Sequence, residues 1–205
     1  MITAMAKGTD ALAVGDSAGE IIILSEKEGE VRHRWVAHQG PVRRLEAQGR
    51  RWLSAGADGS VALWDENSRI IWRRRYGDYA VNDAVLRGNQ TAFVGGDRGG
   101  VARLDPQWPW RRPGEHGPAT FALALDLDGQ KIASGGADGR VIVRELKRGE
   151  QVGSWPTQQR WVTAILWTEY GILSGGNDGS LKLWQGFGAE LKRQINTLPG
   201  PVLRL

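Results

Sequence analysis

Ser54, His38 and Asp58 lie close together in the chain, and as residue types they could carry out acyl transfer. In that chemistry a serine hydroxyl attacks, an imidazole takes its proton and a carboxylate orients the imidazole. It also needs an exposed nucleophile and donors placed for an oxyanion. Ser54 instead falls inside Arg51-Trp-Leu-Ser-Ala-Gly56, an apolar stretch that reads as a strand. The same serine returns at Ser134 and Ser174, each followed four residues later by an aspartate, Asp138 and Asp178, as Ser54 is by Asp58. A set that recurs with the chain reads as structural, so no enzyme is expected. The other candidates are no stronger. His33, His38 and His116 lack the spacing of metal ligands and have no paired carboxylates beside them. Every glycine cluster lies between two strand-like runs and not before a helix, so no phosphate-binding loop is present. Neither a metal nor a cofactor is expected.

The recurrence extends over the whole chain. Ser54 to Asp65 reads SAGADGSVALWD, and it returns as SGGADGRVIVRE from Ser134 and SGGNDGSLKLWQ from Ser174, with weaker copies from Val14 and Val94. The turn glycines Gly19, Gly59, Gly99, Gly139 and Gly179 are each 40 residues apart. A fixed period of this size marks a repeat architecture. Laid out in five rows, each repeat predicts four short strands. The first are Ile2–Ala6, Val42–Ala47, Val81–Leu86, Phe121–Leu127 and Val162–Trp167, with one apolar column, Met5, Leu45, Val85, Leu125 and Ile165. The second end in small residues, which allow close backbone approach. The third alternate, as in Val61/Leu63 and Leu181/Leu183. The fourth are least regular: Val31–Val36, Ile70–Tyr76, near Trp110–Arg112, Gln151–Trp155 and Leu191–Ile195. Turns between the first and second strands are marked by Gly8, Gly49, Gly88-Asn89, Asp128-Gly129 and Gly171. Four antiparallel strands per row make a blade, and stacked blades make an all-β propeller.

Composition agrees with one packed domain over residues 1–205, in repeats of about 1–40, 41–80, 81–120, 121–160 and 161–200 with an extra first strand at 201–205. The 205 residues are 40% hydrophobic, include no cysteine and carry a net charge of +4. No disulfide framework or cysteine metal site is available. No apolar run suits a membrane span, and the N-terminal residues lack the basic and apolar segments of a signal peptide. A cytoplasmic location is expected.

At this point the rows resemble the WD-repeat family of β-propellers, most specifically at Trp64-Asp65, which closes the third strand of the second row. The resemblance implies a buried network of a histidine before the first strand, a Ser/Thr in the second strand, an Asp in the next turn and the Trp ending the third. Row two supplies His38, Ser54, Asp58 and Trp64. Row five has Ser174, Asp178 and Trp184, with Gln158 in the histidine column. Row four has Ser134 and Asp138, with Pro118 in the histidine column and Arg144 in the Trp column. Row three has Arg98 for the Asp and Leu104 for the Trp; row one has Ala18 and Leu24. Row two is thus expected to hold the one complete network, and His38→Ala or Trp64→Ala is expected to cost more stability than Trp184→Ala.

The resemblance also implies a protein-interaction scaffold that docks partners on the loop face of the propeller. The matching loop positions include Gln39, Ala57, Asp78, Tyr79, Arg98, Phe121, Arg160, Trp161 and Asn177. Tyr, Trp and Arg are frequent interface anchors, so Tyr79, Arg160 and Trp161 lead the partner-binding set. A second docking candidate is Trp108-Pro109-Trp110-Arg111-Arg112, in a proline-rich stretch from Pro106 to Pro118; its plainer reading is a poorly formed outer strand. The alternative function is binding of nucleic acid or another polyanion through Arg43-Arg44, Arg50-Arg51 and the arginines of the fourth strands, which include Arg32, Arg34, Arg73-Arg74-Arg75 and Arg111-Arg112. Their plainer reading is charge that discourages edge-to-edge pairing of an outermost strand.

Gly200-Pro201-Val202-Leu203-Arg204-Leu205 matches Gly40-Pro41-Val42-Arg43-Arg44-Leu45. A closed ring of five blades is expected, with residues 1–7 and 201–205 competing for one inner slot. The alternative is an arc of a larger ring, whose exposed apolar faces would drive oligomerisation.

Overall fold

The computed structural model of the chain describes residues 1–205 apart from 89, 106, 108, 113, 187–189 and 196–198. Asn89 of the third row's turn, and Pro106 and Trp108 of the proline-rich stretch, therefore lie outside the described residues. Among the described residues, twenty strands form five four-stranded antiparallel sheets. Sheet one comprises β1 (Ile2–Lys7), β2 (Ala11–Asp16), β3 (Glu20–Ser25) and β4 (Val31–Val36). Sheet two comprises β5 (Val42–Gln48), β6 (Arg51–Gly56), β7 (Ser60–Trp64) and β8 (Ile70–Arg75). Sheet three has β9 (Val81–Arg87), β10 (Thr91–Gly96), β11 (Val101–Leu104) and β12 (Trp110–Arg112). Sheet four has β13 (Thr120–Leu125), β14 (Lys131–Gly136), β15 (Arg140–Glu145) and β16 (Gln151–Pro156). Sheet five has β17 (Val162–Thr168), β18 (Gly171–Gly176), β19 (Leu181–Gln185) and β20 (Glu190–Ile195). Strands are hydrogen-bonded in chain order within each sheet. The chain divides into two compact units, Met1–Val94 and Gly95–Leu205.

In the first unit, the alternating sequence of β2 and β3 buries one set of side chains and leaves the other half-covered, whereas β7 is buried throughout. Ile21, Ile23, Val42, Leu45, Trp52 and Trp64 form the core between sheets one and two. Trp35 of β4 packs its ring 5.2 Å from that of Trp64. The turn between β6 and β7 needs glycine at Gly59, whose φ is +77° and where a Cβ would lie 2.1 Å from the Gly77 carbonyl oxygen.

The second unit repeats the pattern. Val141, Val143, Trp155, Val162, Ile165 and Trp184 pack between sheets four and five, with Trp155 and Trp184 in the places of Trp35 and Trp64, 6.1 Å apart. Val202 is buried against Gly175 of β18, where a Cβ would approach its Cγ1 to 2.4 Å, and its amide donates to the Gly176 carbonyl at 3.0 Å. Val162 seats against Gly135 in the same way. Residues 201–205 thus begin a next row on sheet five, although no strand is assigned there. The inner place of sheet one is held by β1, paired with β2.

Two features position the surface. First, the fourth strands form the exposed outer edges: β4, β8 and β20 are largely exposed, as the charge in them anticipates. Second, β1, β5, β13 and β17 each skip one residue in their ladders, at Thr3, Arg43, Phe121 and Thr163. Such a bulge leaves one residue unpaired and re-aims its side chain.

One column was misaligned by the rigid 40-residue layout. Leu45 pairs with Ser54 and Ile165 with Ser174, but the residue opposite Ser134 is Leu123, not Leu125. The loop between β13 and β14 spans 126–130, against 49–50 in row two, and Asp126 Oδ1 caps it by accepting from the Gln130 and Lys131 amides. Leu125 is half-buried and Leu127 lies beyond the strand, 71% exposed. Met5 also departs from the core column and is 55% exposed.

Candidate interaction surface

The polar residues that recur from row to row build supports for the loops. In row two the neutral imidazole of His38 is fully enclosed. Its Nε2 lies 2.8 Å from Ser54 Oγ, and its Nδ1 lies 3.1 Å from Asp58 Oδ1 and 2.9 Å from Ser60 Oγ. Trp64 Nε1 donates to Ser54 Oγ at 2.8 Å. One assignment satisfies every group: Nδ1–H faces Asp58, the Ser54 hydroxyl donates to Nε2, and Ser54 accepts from the indole. Burial lowers the His38 pKa, outweighing the pull of Asp58. Burial would raise that of Asp58, but hydrogen bonds from the Gln39 and Ser60 amides and the Ser60 hydroxyl more than offset it, and the carboxyl is lowered. Ser54 has no exposed surface, and its hydroxyl lies between His38 and Trp64. No substrate carbonyl could reach it, so the Ser–His–Asp set works as a brace and not as a nucleophile.

Row four holds a second histidine brace that the column reading missed. His116, not Pro118, occupies the place: Nδ1 is 2.8 Å from Asp138 Oδ1 and Nε2 is 2.9 Å from Ser134 Oγ. His38 follows Gly19 by 19 residues, whereas His116 follows Gly99 by 17, and the longer β13–β14 loop restores the period. Arg144 replaces the tryptophan. It pairs with Glu115 through Nη2 and through Nε at 2.9 Å, and Nη1 donates to the Gly149 carbonyl at 2.8 Å. Burial, with the nearby Arg112, pushes its pKa down to about 10, so it remains charged.

In row five the place belongs to Gln159, not Gln158. Gln158 is exposed, with φ +59°, and this turn swings the next side chain inward. Ser174 Oγ donates to Gln159 Oε1 at 2.8 Å, and Gln159 Nε2 donates to Ser180 Oγ at 3.0 Å. Ser180 Oγ donates to Asp178 Oδ1 at 2.7 Å, and Trp184 Nε1 donates to Ser174 Oγ at 2.9 Å. The network therefore closes without an imidazole. Row two is not alone in having a complete one. Ser60 and Ser180, in one column after the turn glycine, are further members; their recurrence in the sequence DGS was the available signal. In row one Asp16 serves the turn from two positions earlier than Ala18, accepting from the Ala18 and Glu20 amides at 2.9 Å each.

The loop residues fall into two groups. In the second unit Phe121, at its bulge in β13, lies 5.8 Å from the ring of Trp161, and the Arg160 guanidinium lies 5.3 Å above that ring. Trp161 is 36% exposed and Arg160 is exposed. The Asn177 amide donates to the Trp161 carbonyl at 3.1 Å, tying the β18–β19 turn to this cluster. Arg98 is exposed at φ +70°, its amide bonded to the Pro118 carbonyl at 2.6 Å. In the first unit Tyr79 packs edge-on against Tyr76 at 5.2 Å, and exposed Asp78 pairs with Arg75 at 2.8 Å. Gln39, Ala57 and Asp78 share a cleft of about 490 Å³ with Arg73, Arg74 and Arg75. The arginines read as an edge device and the residues read as docking loops meet there. Trp110, from the proline-rich stretch, is buried: its Nε1 donates to the Leu146 carbonyl at 3.0 Å, so it anchors β12 and presents no docking surface.

The first unit also encloses a carboxylate pair. Asp83 Oδ1 forms an ion pair with Arg44 Nε at 3.0 Å, that Nε donates to the Ala84 carbonyl at 3.3 Å, and Glu46 Oε2 lies 3.6 Å from Arg44 Nη2, beyond hydrogen-bond length. Burial, only partly offset by Arg44, raises the Glu46 pKa to about 7.

The sequence profile of the WD40 family (WD domain, G-beta repeat) matches residues 29–65 and 149–185. Rows two and five are WD40 repeats. The two matched segments end at Asp65 and Gln185, directly after the network tryptophans of rows two and five. The mouse protein "Telomerase protein component 1" is 32% identical over 42% of this chain and 3% of its own length. Human "WD repeat-containing protein 55" is 24% identical over 90% of this chain and 52% of its own. The chain thus spans about half, or far less, of the length of these relatives. Among solved structures, a chain of the "Crystal Structure of Mitotic Checkpoint Complex" superposes with a TM-score of 0.90 at 19% identity, over 99% of this chain and 67% of that one. The WD40 β-propeller domain of Doa1 gives 0.87 at 17% identity, over 100% of this chain and 71% of that one. The five sheets are those of the WD40 β-propeller fold.

Proposed function

We propose that this chain is a non-catalytic protein-interaction scaffold that docks a partner on its loops. The observation that carries this reading is the half-exposed Phe121–Trp161–Arg160 cluster, in which two rings and a guanidinium from successive rows are packed together yet left open to solvent. Such amphipathic groups, held rigid by a scaffold, lose little entropy on binding and are common centres of interfaces. The braces of rows four and five hold the flanking turns. Arg98 and Asn177 extend this docking surface within the second unit, and Asp78 and Tyr79 offer a docking position of their own in the first unit in this reading. The name of one structural neighbour, a checkpoint complex, describes an assembly, which accords with the class of function.

Affinity capture with quantitative mass spectrometry tests it. A set of proteins retained by the wild type is expected to fall at least tenfold with Trp161→Ala and with Arg160→Ala. Retention indifferent to both substitutions would overturn the docking surface. Polyanion binding has less support, because several arginines assigned to it or lying beside them are paired with acids: Arg32 with Asp10, Arg34 with Glu20, Arg50 with Glu66. Retention on heparin that persists at near-physiological salt would favour it instead.

A further inference from the structure

The cleft in the first unit has a chemistry of its own. It is lined on one side by Arg73, Arg74 and Arg75 of β8, and on the other by Gln39, Asp58 and Asp78. Discouraging edge pairing needs charge but does not need a recess. Each guanidinium is also held. Arg73 Nη2 donates to the Ala37 carbonyl at 2.6 Å, Arg74 stacks over the Trp72 ring at 4.3 Å, and Arg75 donates to the Gly77 carbonyl at 3.2 Å and to Asp78 at 2.8 Å. Held guanidiniums are prepared for planar, bidentate recognition of carboxylates.

The two acids at the rim are not equivalent. Asp58 is committed to the Gln39 amide, Ser60 and His38. Asp78 is 93% exposed at its side chain and holds Arg75 through a pair that is itself 64% exposed. Such a pair is weak, so another carboxylate could displace it readily. We propose that this cleft receives an acidic segment of a partner protein, one of whose carboxylates takes the place of Asp78 on Arg75. Asp78 then acts as an internal stand-in for the ligand. A nucleic acid fits less well, since Arg32, Arg34 and Arg50, elsewhere in the same unit, are paired with acids. This site is separate from the Phe121–Trp161 cluster, and either can fail without the other.

Fluorescence anisotropy with a labelled Glu-rich peptide tests the proposal, with a Gly/Ser peptide and a single-stranded DNA of matched charge as comparisons. The Glu-rich peptide is expected to bind, the Gly/Ser peptide not. Arg75→Glu is expected to weaken binding by roughly tenfold or more, and Asp78→Asn to tighten it by roughly threefold. Trp161→Ala should leave it unchanged. Absence of binding, binding indifferent to both cleft variants, or tighter binding of the DNA would overturn the proposal. Thermal melts check that the variants fold. Should Arg75→Glu not fold, the direction of the Asp78→Asn change decides alone: tightening upholds the proposal, and any other result overturns it.

Discussion

Rows two and five solve one problem with different side chains. Both must fix an aspartate in a tight turn, satisfy a buried serine and orient a tryptophan. Row two does so with His38 and row five with Gln159, and the serine–tryptophan bond is the same within 0.1 Å, 2.8 against 2.9 Å. The position requires an acceptor on one side and a donor on the other. A neutral imidazole and a carboxamide both provide that. Only the imidazole can take a proton, so the two rows differ in their response to acid and not in their ability to close.

That comparison can be broken at several points. The largest effect is expected from the tryptophans. Trp64→Ala and Trp184→Ala should each lose about 3–5 kcal/mol by chemical denaturation, the cost of emptying a buried indole site. The two losses should be similar, because both networks are complete; a much smaller loss for Trp184→Ala would restore row two as the better-fixed row. Next, Gln159→Ala should lose about 2 kcal/mol, since it removes the acceptor of the buried Ser174 hydroxyl and the amide donor to Ser180 Oγ. If it proved neutral, the amide would be a bystander.

Smaller effects separate the rows by pH. The His38 pKa is lowered in the fold from 6.5. Below 6.5 the unfolded chain takes a proton that the folded chain refuses, so this contribution is present above 6.5 and is lost as pH falls towards the lowered value. His38→Gln, which copies row five, should match the wild type at pH 7 and lose less stability than the wild type on acidification. An unchanged acid limb in urea melts would contradict the assignment of a neutral imidazole. Glu46 has the opposite sign. Its pKa rises from 4.5 to about 7 in the fold, so its contribution is complete below 4.5 and is lost as pH rises through 7. Glu46→Gln should therefore stabilise the chain at pH 8 relative to the wild type, by about 1 kcal/mol, and much less at pH 5.

The repeat was legible because the turn glycines answer to backbone geometry, which tolerates little else. Gly59 fills a space in which any Cβ would strike the Gly77 carbonyl. The braces were only partly legible. His116 was hidden because a segment two residues shorter before it and a segment two residues longer after it cancel, leaving the glycine period intact. Gln159 was hidden because the positive φ of Gln158 shifts the inward-facing residue by one, and a single sequence gives no sign of that turn. The loop surface was readable as a set of positions but not as groups. That Phe121 meets Trp161, and that Gln39 shares a recess with Arg75, depends on bulges and on neighbouring rows, neither of which follows from periodicity.

The bulge near the start of β5, β13 and β17 has one more consequence. Its skipped residue is exempt from the alternation that dictates every neighbour, so the chain carries Arg43, Phe121 and Thr163 there without altering the ladders on either side. Each of these rows therefore contains one address that can be rewritten while its architecture is kept. A library varied at these three positions alone should yield chains that fold alike and bind differently.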